Sequence, residues 1–371
     1  MLAIQHCNDS TLNADEPLNN ETQKVPGVAP VRCTENFTAT STNPTAAGLS
    51  MTLGIVSNII ALIILAKAYA RMRKRSKATF LLFASSLVAT DLAGHVIPGA
   101  LVLRLYFSGT AGRDCDQPDA ICQFLGGSMV FFGLCPLFLG CGMAAERCMG
   151  VTRPLVHARA ICTAHTKMVL MMIWLLALSV ALLPYFRLGT YDYQYPGTWC
   201  FINVLKDTRV TDVLFVLLFS GLGLTSLAVA FICNTISGMT LVIARLRNRK
   251  CNRRSAKSHD IEMVAQLVGI MVTSCICWSP LLIFGLMSVI HSYNCSKGDD
   301  LKTYKNLMVT GVRLASWNQI LDPWVYILLR RAVLRKIYRL TTGHKDLRGS
   351  TFRRWEISSL QNSVKNAVNL N

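Results

Sequence analysis

VLFVLLFSGLGLTSLAVAFICNTISGMTLVIA, residues Val213–Ala244, runs without a single Asp, Glu, Lys, Arg or His. A helix needs about 20 apolar residues to cross roughly 30 Å of hydrocarbon, whereas a barrel strand needs about 9–11. Periodicity cannot separate helix from strand in such a run; its length decides for a membrane-spanning helix. Six further stretches meet the same requirement: Ala46–Ala66, Thr79–Leu103, Ile121–Ala145, Met168–Phe186, Met263–Ser292 and Asn306–Leu329. The expected fold class is an all-α membrane protein, a seven-transmembrane helix bundle. Composition agrees. Of 371 residues 52% are hydrophobic and only 16% charged, against about 25% charged in soluble domains, and the mean hydropathy of +0.38 is too high for a soluble enzyme of this length.

The formal charge of +18 could suggest nucleic acid, but its distribution argues otherwise. Loops and tail on one side of the seven spans (67–78, 147–167, 245–262 and the segment from Arg330) sum to +23; those on the other sum to −3. Basic residues collect on the cytoplasmic side of membrane proteins, so the N-terminus is expected outside, the C-terminus inside, and no nucleic-acid partner. The sequons Asn8, Asn20, Asn36 and Asn294 all fall on the outer side. So do Cys7, Cys33, Cys115, Cys122, Cys200 and Cys295, where disulfides persist. The first ten residues lack a basic region and a long apolar core, so the first span is expected to insert as its own anchor. Four segments follow: an extracellular glycosylated tail at 1–45, the bundle at 46–329, an amphipathic helix at 330–341 lying on inner-leaflet lipids, and a cytoplasmic tail at 342–371.

Ionisable side chains inside a span cost about 2.5–3.5 kcal/mol or more and mark function by default. Arg313, between Val312 and Leu314 about two turns from the outer end of the last span, cannot neutralise by losing a proton. The other acids of the spans, Asp91, Glu146 and Asp322, lie deeper. Arg313 therefore reads as a receiver for an anionic ligand, a carboxylate above all. Asp91 and Asp322 are either two unrelated buried acids or a facing pair that cannot stay doubly ionised without a cation. His95, one turn after Asp91, is a packing or a pocket residue. Pro98, Pro136, Pro184, Pro280 and Pro323 are candidate hinges. No H-E-x-x-H, G-x-S-x-G or P-loop occurs, so neither an enzyme nor a cofactor or resident metal is expected. A transporter or channel would want a continuous polar path or paired broken helices, and neither is visible.

Seven spans with Asn58, Asp91, Cys122, Glu146-Arg147-Cys148, Trp174, Cys277-Trp278-Ser279-Pro280 and Asp322-Pro323-Trp324-Val325-Tyr326 in order resemble the rhodopsin-like G-protein-coupled receptors. The runs Tyr195–Phe201 (YPGTWCF) and Arg313–Arg330 (RLASWNQILDPWVYILLR) are similar to those of the prostanoid receptors within them. That resemblance implies a plasma-membrane receptor for prostaglandin E2, with prostaglandin F2α as the alternative, signalling through a heterotrimeric G protein of Gq type and calcium. It further implies that Arg313, Tyr106 and Thr198 hold the ligand carboxylate under a loop containing Trp199. A Cys122–Cys200 disulfide would pin that loop, and Met129 and His95 would line the pocket. Glu146, Arg147, Trp278, Pro280, Pro323, Tyr326, Asp91 and Asp322 would serve activation. Helix 6 is expected to swing about Pro280, breaking a resting Arg147–Asp260 ion pair. Four features depart from the superfamily pattern: no proline in the fifth span, Glu146-Arg147-Cys148 where Asp-Arg-Tyr is usual, Asp322 where Asn is usual, and Pro136 where a Ser often helps hold sodium. They leave Asp91 and Asp322 sharing either a proton or a cation.

Overall fold

A computed structural model describes residues 44–72, 78–108, 120–155, 157, 163–203, 209–247, 256–293 and 298–328. The sequons, the amphipathic segment 330–341, the tail beyond it, and Cys7, Cys33, Cys115 and Cys295 lie outside them. Described residues up to Tyr326 form one compact unit; of the second, Ile327–Asn371, only the end of the last helix is described.

The seven expected spans are seven helices: α1 (Thr45–Met72), α2 (Ala78–Ser108), α3 (Ala120–Thr152), α4 (Thr163–Ala181), α5 (Val210–Arg247), α6 (Ala256–Tyr293) and α7 (Gly298–Leu328). Each runs past or close to the apolar stretch that predicts it, because helical hydrogen bonding continues into the polar flanks. Six are both long and apolar enough to cross a membrane. The seventh, α7, has the length but falls short in hydropathy; Arg313, Asn318, Gln319 and Asp322 account for the shortfall. It is nevertheless packed into the bundle, with Asn318, Gln319 and Asp322 all buried.

α3 is the axis of the fold. In its most apolar window 67% of the residues are buried, against 28% in α1, α4 and α6. Those outer helices present Ile59, Ile63, Met171, Leu175, Ile276 and Ile290 to the surroundings, an arrangement suited to lipid. Lipid tails are as apolar as leucine, so burial drives helix association weakly here. Close packing and interhelical hydrogen bonds carry more of it.

Prolines shape the helices in two ways. Pro98, Pro136, Pro280 and Pro323 lie inside α2, α3, α6 and α7. Each lacks the N–H that would pair with the carbonyl four residues earlier. Two of the freed carbonyls are met by amide side chains: Asn58 Nδ2 donates to Gln319 O at 3.0 Å, and Gln319 Nε2 donates to Phe132 O at 3.0 Å. Pro184 acts differently and corrects the expected span Met168–Phe186. The α-helix stops at Ala181, a 3₁₀ turn covers Leu183–Phe186, and Arg187 closes it in the left-handed conformation at φ 64°.

After that turn the chain forms an antiparallel hairpin, β1 (Tyr191–Gln194) and β2 (Trp199–Ile202), in the register Tyr191↔Ile202 and Gln194↔Trp199. Tyr191 is fully buried, and its hydroxyl donates to Ala181 O at 2.8 Å, a carbonyl left over where α4 ends. The ring lies directly on Gly126 of α3, where any side chain would collide with it. Tyr191 therefore seats the hairpin on α3 and caps α4 together. Tyr191→Phe, which leaves that carbonyl buried and unmet, should cost about 1–3 kcal/mol, read as a lowered thermal unfolding midpoint of the detergent-solubilised protein. Gly126→Leu should cost more, and an unchanged midpoint in both would remove this role.

Candidate ligand site and coupling face

A disulfide joins Cys122 at the start of α3 to Cys200 in β2, with Cα atoms 5.4 Å apart. The expected pairing is present. Around it Leu105 of α2 and Leu125 of α3 are buried, and Leu101, Val102, Ile121, Met129 and Tyr193 pack against them. The hairpin is thus held down on α2 and α3, and Phe201 extends the hold to α5 through Phe219, ring centroids 5.4 Å apart.

Thr198 is half-buried in the hairpin turn, and Tyr106 half-buried in α2, next to the buried Leu105. Met129 is partly buried against the apolar cluster around the disulfide. Arg313 lies six residues before Gln319, about 9 Å nearer the hairpin end of α7. Because Gln319 touches Phe132, Arg313 falls near the depth of Leu125. Its side chain is exposed, and among the described residues it makes no hydrogen bond or ion pair; the ion pairs there all involve Glu146. The bundle therefore offers a guanidinium without a counter-ion among the described residues, near the depth of a small hydrophobic cluster.

His95 and Trp199, the other two expected ligand contacts, are both buried and engaged within the protein. His95 is buried in the interface of α1 and α2, its imidazole filling the space over Gly54, which has no side chain to exclude it. It packs α2 against α1 there. Trp199 is also buried, and its indole N–H donates to Tyr195 O at 2.9 Å, bracing the turn. That donor is committed to the hairpin itself.

Deeper in the bundle, Trp278 is buried against Gly133 of α3. A cavity of about 30 Å³ is lined by Trp278 together with Gly140, Asn234, Ser274 and Asn318 among others. Gly140, without a side chain, and the small Ser274 leave room between α3 and α6. Asp91 and Asp322 are both buried, and Asp322 is near enough to act on Asp91 electrostatically. Asn318 Nδ2 donates to Asp322 Oδ2 at 2.8 Å, while neither oxygen of Asp91 has a hydrogen-bond partner among the described residues. The two acids are one cluster. No group of three metal-ligating side chains occurs among the described residues.

At the end of α3 away from the hairpin, Glu146 is buried and held from two sides. Its Oε1 accepts from His157 Nε2 at 3.1 Å and its Oε2 lies 3.7 Å from Arg147 Nε. The Arg147 guanidinium also sits 3.7 Å from the centroid of the Phe80 ring, a cation–π contact. The side chains of Asp260 and Tyr326 lie outside the described set. His157 and Phe80 were not anticipated from sequence. His157 is eleven residues beyond Glu146, past the helix break at Arg153-Pro154, and no fixed helical spacing links the two.

Residues 57–326 match the family of seven-transmembrane receptors of rhodopsin type. The prostaglandin E2 receptor EP1 subtype of dog is 48% identical over 372 residues, covering 87% of this chain and 89% of that protein. The mouse EP1 receptor is 45% identical, covering 94% and 96%. The rat prostaglandin F2-alpha receptor is 45% identical over 318 residues, covering 86% of this chain and 85% of its own length. In fold, squid rhodopsin superposes with a TM-score of 0.66 over 86% of this chain and 87% of its own, at 16% identity. With such identity along nearly its whole length, the chain is a multi-pass membrane protein of the rhodopsin-type seven-transmembrane receptor family, in its prostaglandin-receptor branch.

Proposed function

We propose that this receptor binds prostaglandin E2 at the hairpin end of the bundle and signals through a Gq-type G protein to calcium. The observation that carries the reading is Arg313, a cation in a membrane helix with no counter-ion among the described residues. A fatty-acid-derived ligand brings one carboxylate and a long apolar remainder, which suits one guanidinium near the depth of the cluster of Leu105, Leu125 and Met129. Thr198 in the turn and Tyr106 in α2 supply hydroxyls for the same carboxylate, and the disulfide-pinned hairpin is the lid. Names of the relatives support the ligand: those of dog and mouse are prostaglandin E2 receptors.

The charge asymmetry of +23 against −3 supports an extracellular N-terminus and hairpin, with Glu146 and Arg147 facing the cytoplasm of a plasma-membrane receptor. Helix α6 then swings at Pro280 beside the cavity under Trp278 and opens a cleft floored by Arg147. In the resting receptor Arg147 is restrained by Glu146 and by the Phe80 ring, with Asp260 as a further counter-ion from α6. The acid pair Asp91 and Asp322 accompanies the change by holding one proton or one cation. Sequons Asn8, Asn20, Asn36 and Asn294 are the glycosylation sites of this topology, and segment 330–341 its inner-leaflet helix. Prostaglandin F2α is the second reading, because the rat receptor for it is also 45% identical.

Calcium and cyclic-AMP responses to a panel of prostaglandins test the ligand and the coupling together. The expected order is prostaglandin E2 ahead of F2α with calcium as the readout; a cyclic-AMP response alone would reassign the G protein. Arg313→Gln should weaken binding of prostaglandin E2 by about 1.5–3 kcal/mol, and of its methyl ester much less. Equal losses for acid and ester would remove the carboxylate role. Glu146→Gln, and His157→Ala more weakly, should release Arg147 and raise basal signalling, by roughly fivefold if the restraint amounts to about 1 kcal/mol. Unchanged basal signalling in both variants would show that Glu146 does not restrain the receptor.

A further inference from the structure

Pro136 sits in the middle of α3 and carries no N–H, so the carbonyl of Phe132 lacks its intrahelical donor. In the hydrocarbon region no bulk water is at hand to replace it, and an unmet carbonyl is expensive. The replacement comes from another helix: Gln319 Nε2 of α7 donates to Phe132 O at 3.0 Å. Gln319 is itself buried and confined. Its backbone carbonyl, freed in turn by Pro323, accepts from Asn58 Nδ2 of α1. Its amide also lies against Gly94 of α2, where a Cβ would come within 3.3 Å of both Gln319 Nε2 and Phe132 Cβ. Four helices meet at this one residue.

We propose that Gln319 is a positioning residue for signalling: it supplies the donor that Pro136 deletes from α3, and so couples the position of α7 to the bend of α3. Arg313 lies six residues toward one end of α7, and Arg147 fifteen residues beyond Phe132 on α3. A shift of α7 on engagement of Arg313 therefore loads the hydrogen bond at the kink that aims the Arg147 end of α3. The apolar contacts around it do not provide this, because they tolerate sliding whereas a single N–H···O bond across two prolines does not. The signalling part of this inference rests on the proposed ligand reading; the bond to the proline-freed carbonyl does not.

The test is a double-mutant cycle on the full-length receptor in cells, using Gln319→Leu, Pro136→Ala and both together. Pro136→Ala restores a backbone N–H for the Phe132 carbonyl and so removes the need for Gln319. Gln319→Leu alone should shift prostaglandin E2 potency in calcium release by about tenfold, with less than a threefold change in its binding affinity. The same substitution in the Pro136→Ala background should shift potency less than threefold. An equal shift in both backgrounds overturns the proposal, as does a loss of affinity matching the loss of potency, which would make Gln319 a ligand contact instead. If Gln319→Leu does not reach the cell surface, Gln319→Asn, polar but one methylene too short, takes its place in the cycle. Thermal unfolding of the ligand-free receptor in detergent supplies a readout independent of the ligand. The destabilisation by Gln319→Leu should shrink when Pro136 is Ala, and additive effects on the midpoint would overturn the bond's role even if no prostaglandin proves to be the ligand.

Discussion

Inside a bilayer every backbone N–H and C=O must find a partner within the protein, and this receptor strains that requirement by placing prolines in four of its seven helices. A proline both bends its helix and orphans a carbonyl. For α3 and α7 the orphans are met by amides from neighbouring helices, Gln319 onto Phe132 and Asn58 onto Gln319. The bends are thereby tied to one another. A helix free to kink alone would be a weak relay; one whose kink is completed by its neighbour's side chain moves with it.

The same logic of meeting leftover backbone groups organises the hairpin end. α4 stops early at Ala181 because Pro184 cannot continue it, and the carbonyl left there is met by the Tyr191 hydroxyl. Tyr191 in turn stacks edge-on to Phe215 of α5, centroids 5.8 Å apart. Burial pushes its phenol well above the usual tyrosine range, so it stays protonated and able to donate. Together with the Cys122–Cys200 disulfide this makes the hairpin a rigid cover, a suitable lid for a flexible, chain-like ligand. At the opposite end Arg147 is held by one buried carboxylate and one aromatic face, contacts that a moving α6 can compete with.

How much of this could be read from sequence differs by kind of residue. The seven helices were legible because span length is a strong signal, and α7 was legible despite Arg313 and Asp322 because its polar residues are few and spaced. Cys122 and Cys200 carried their pairing through family resemblance. His95 was ambiguous for a sound reason: an imidazole one turn from Asp91 fits a pocket or a helix interface equally, and only the folded chain shows the ring lying over the bare backbone at Gly54. Trp199 entered only through the family resemblance, because sequence gives no partner for its indole N–H. The partner is a backbone carbonyl four residues earlier, which only the folded turn presents.

By itself the sequence determined the membrane class, the number of spans, the division of charge between their two sides and the one cation out of place among apolar neighbours. These follow from transfer free energies, which depend on residue type and run length and need no coordinates. Only the tertiary structure decided that Gln319 meets the carbonyl opened by Pro136, that His157 and Phe80 hold the Glu146–Arg147 pair, and that Asp91 and Asp322 form one cluster. Each of these joins residues on different helices or across a break in one. Such contacts are set by how the helices rotate and cross, and rotation is invisible in a sequence whose apolar residues surround every helix.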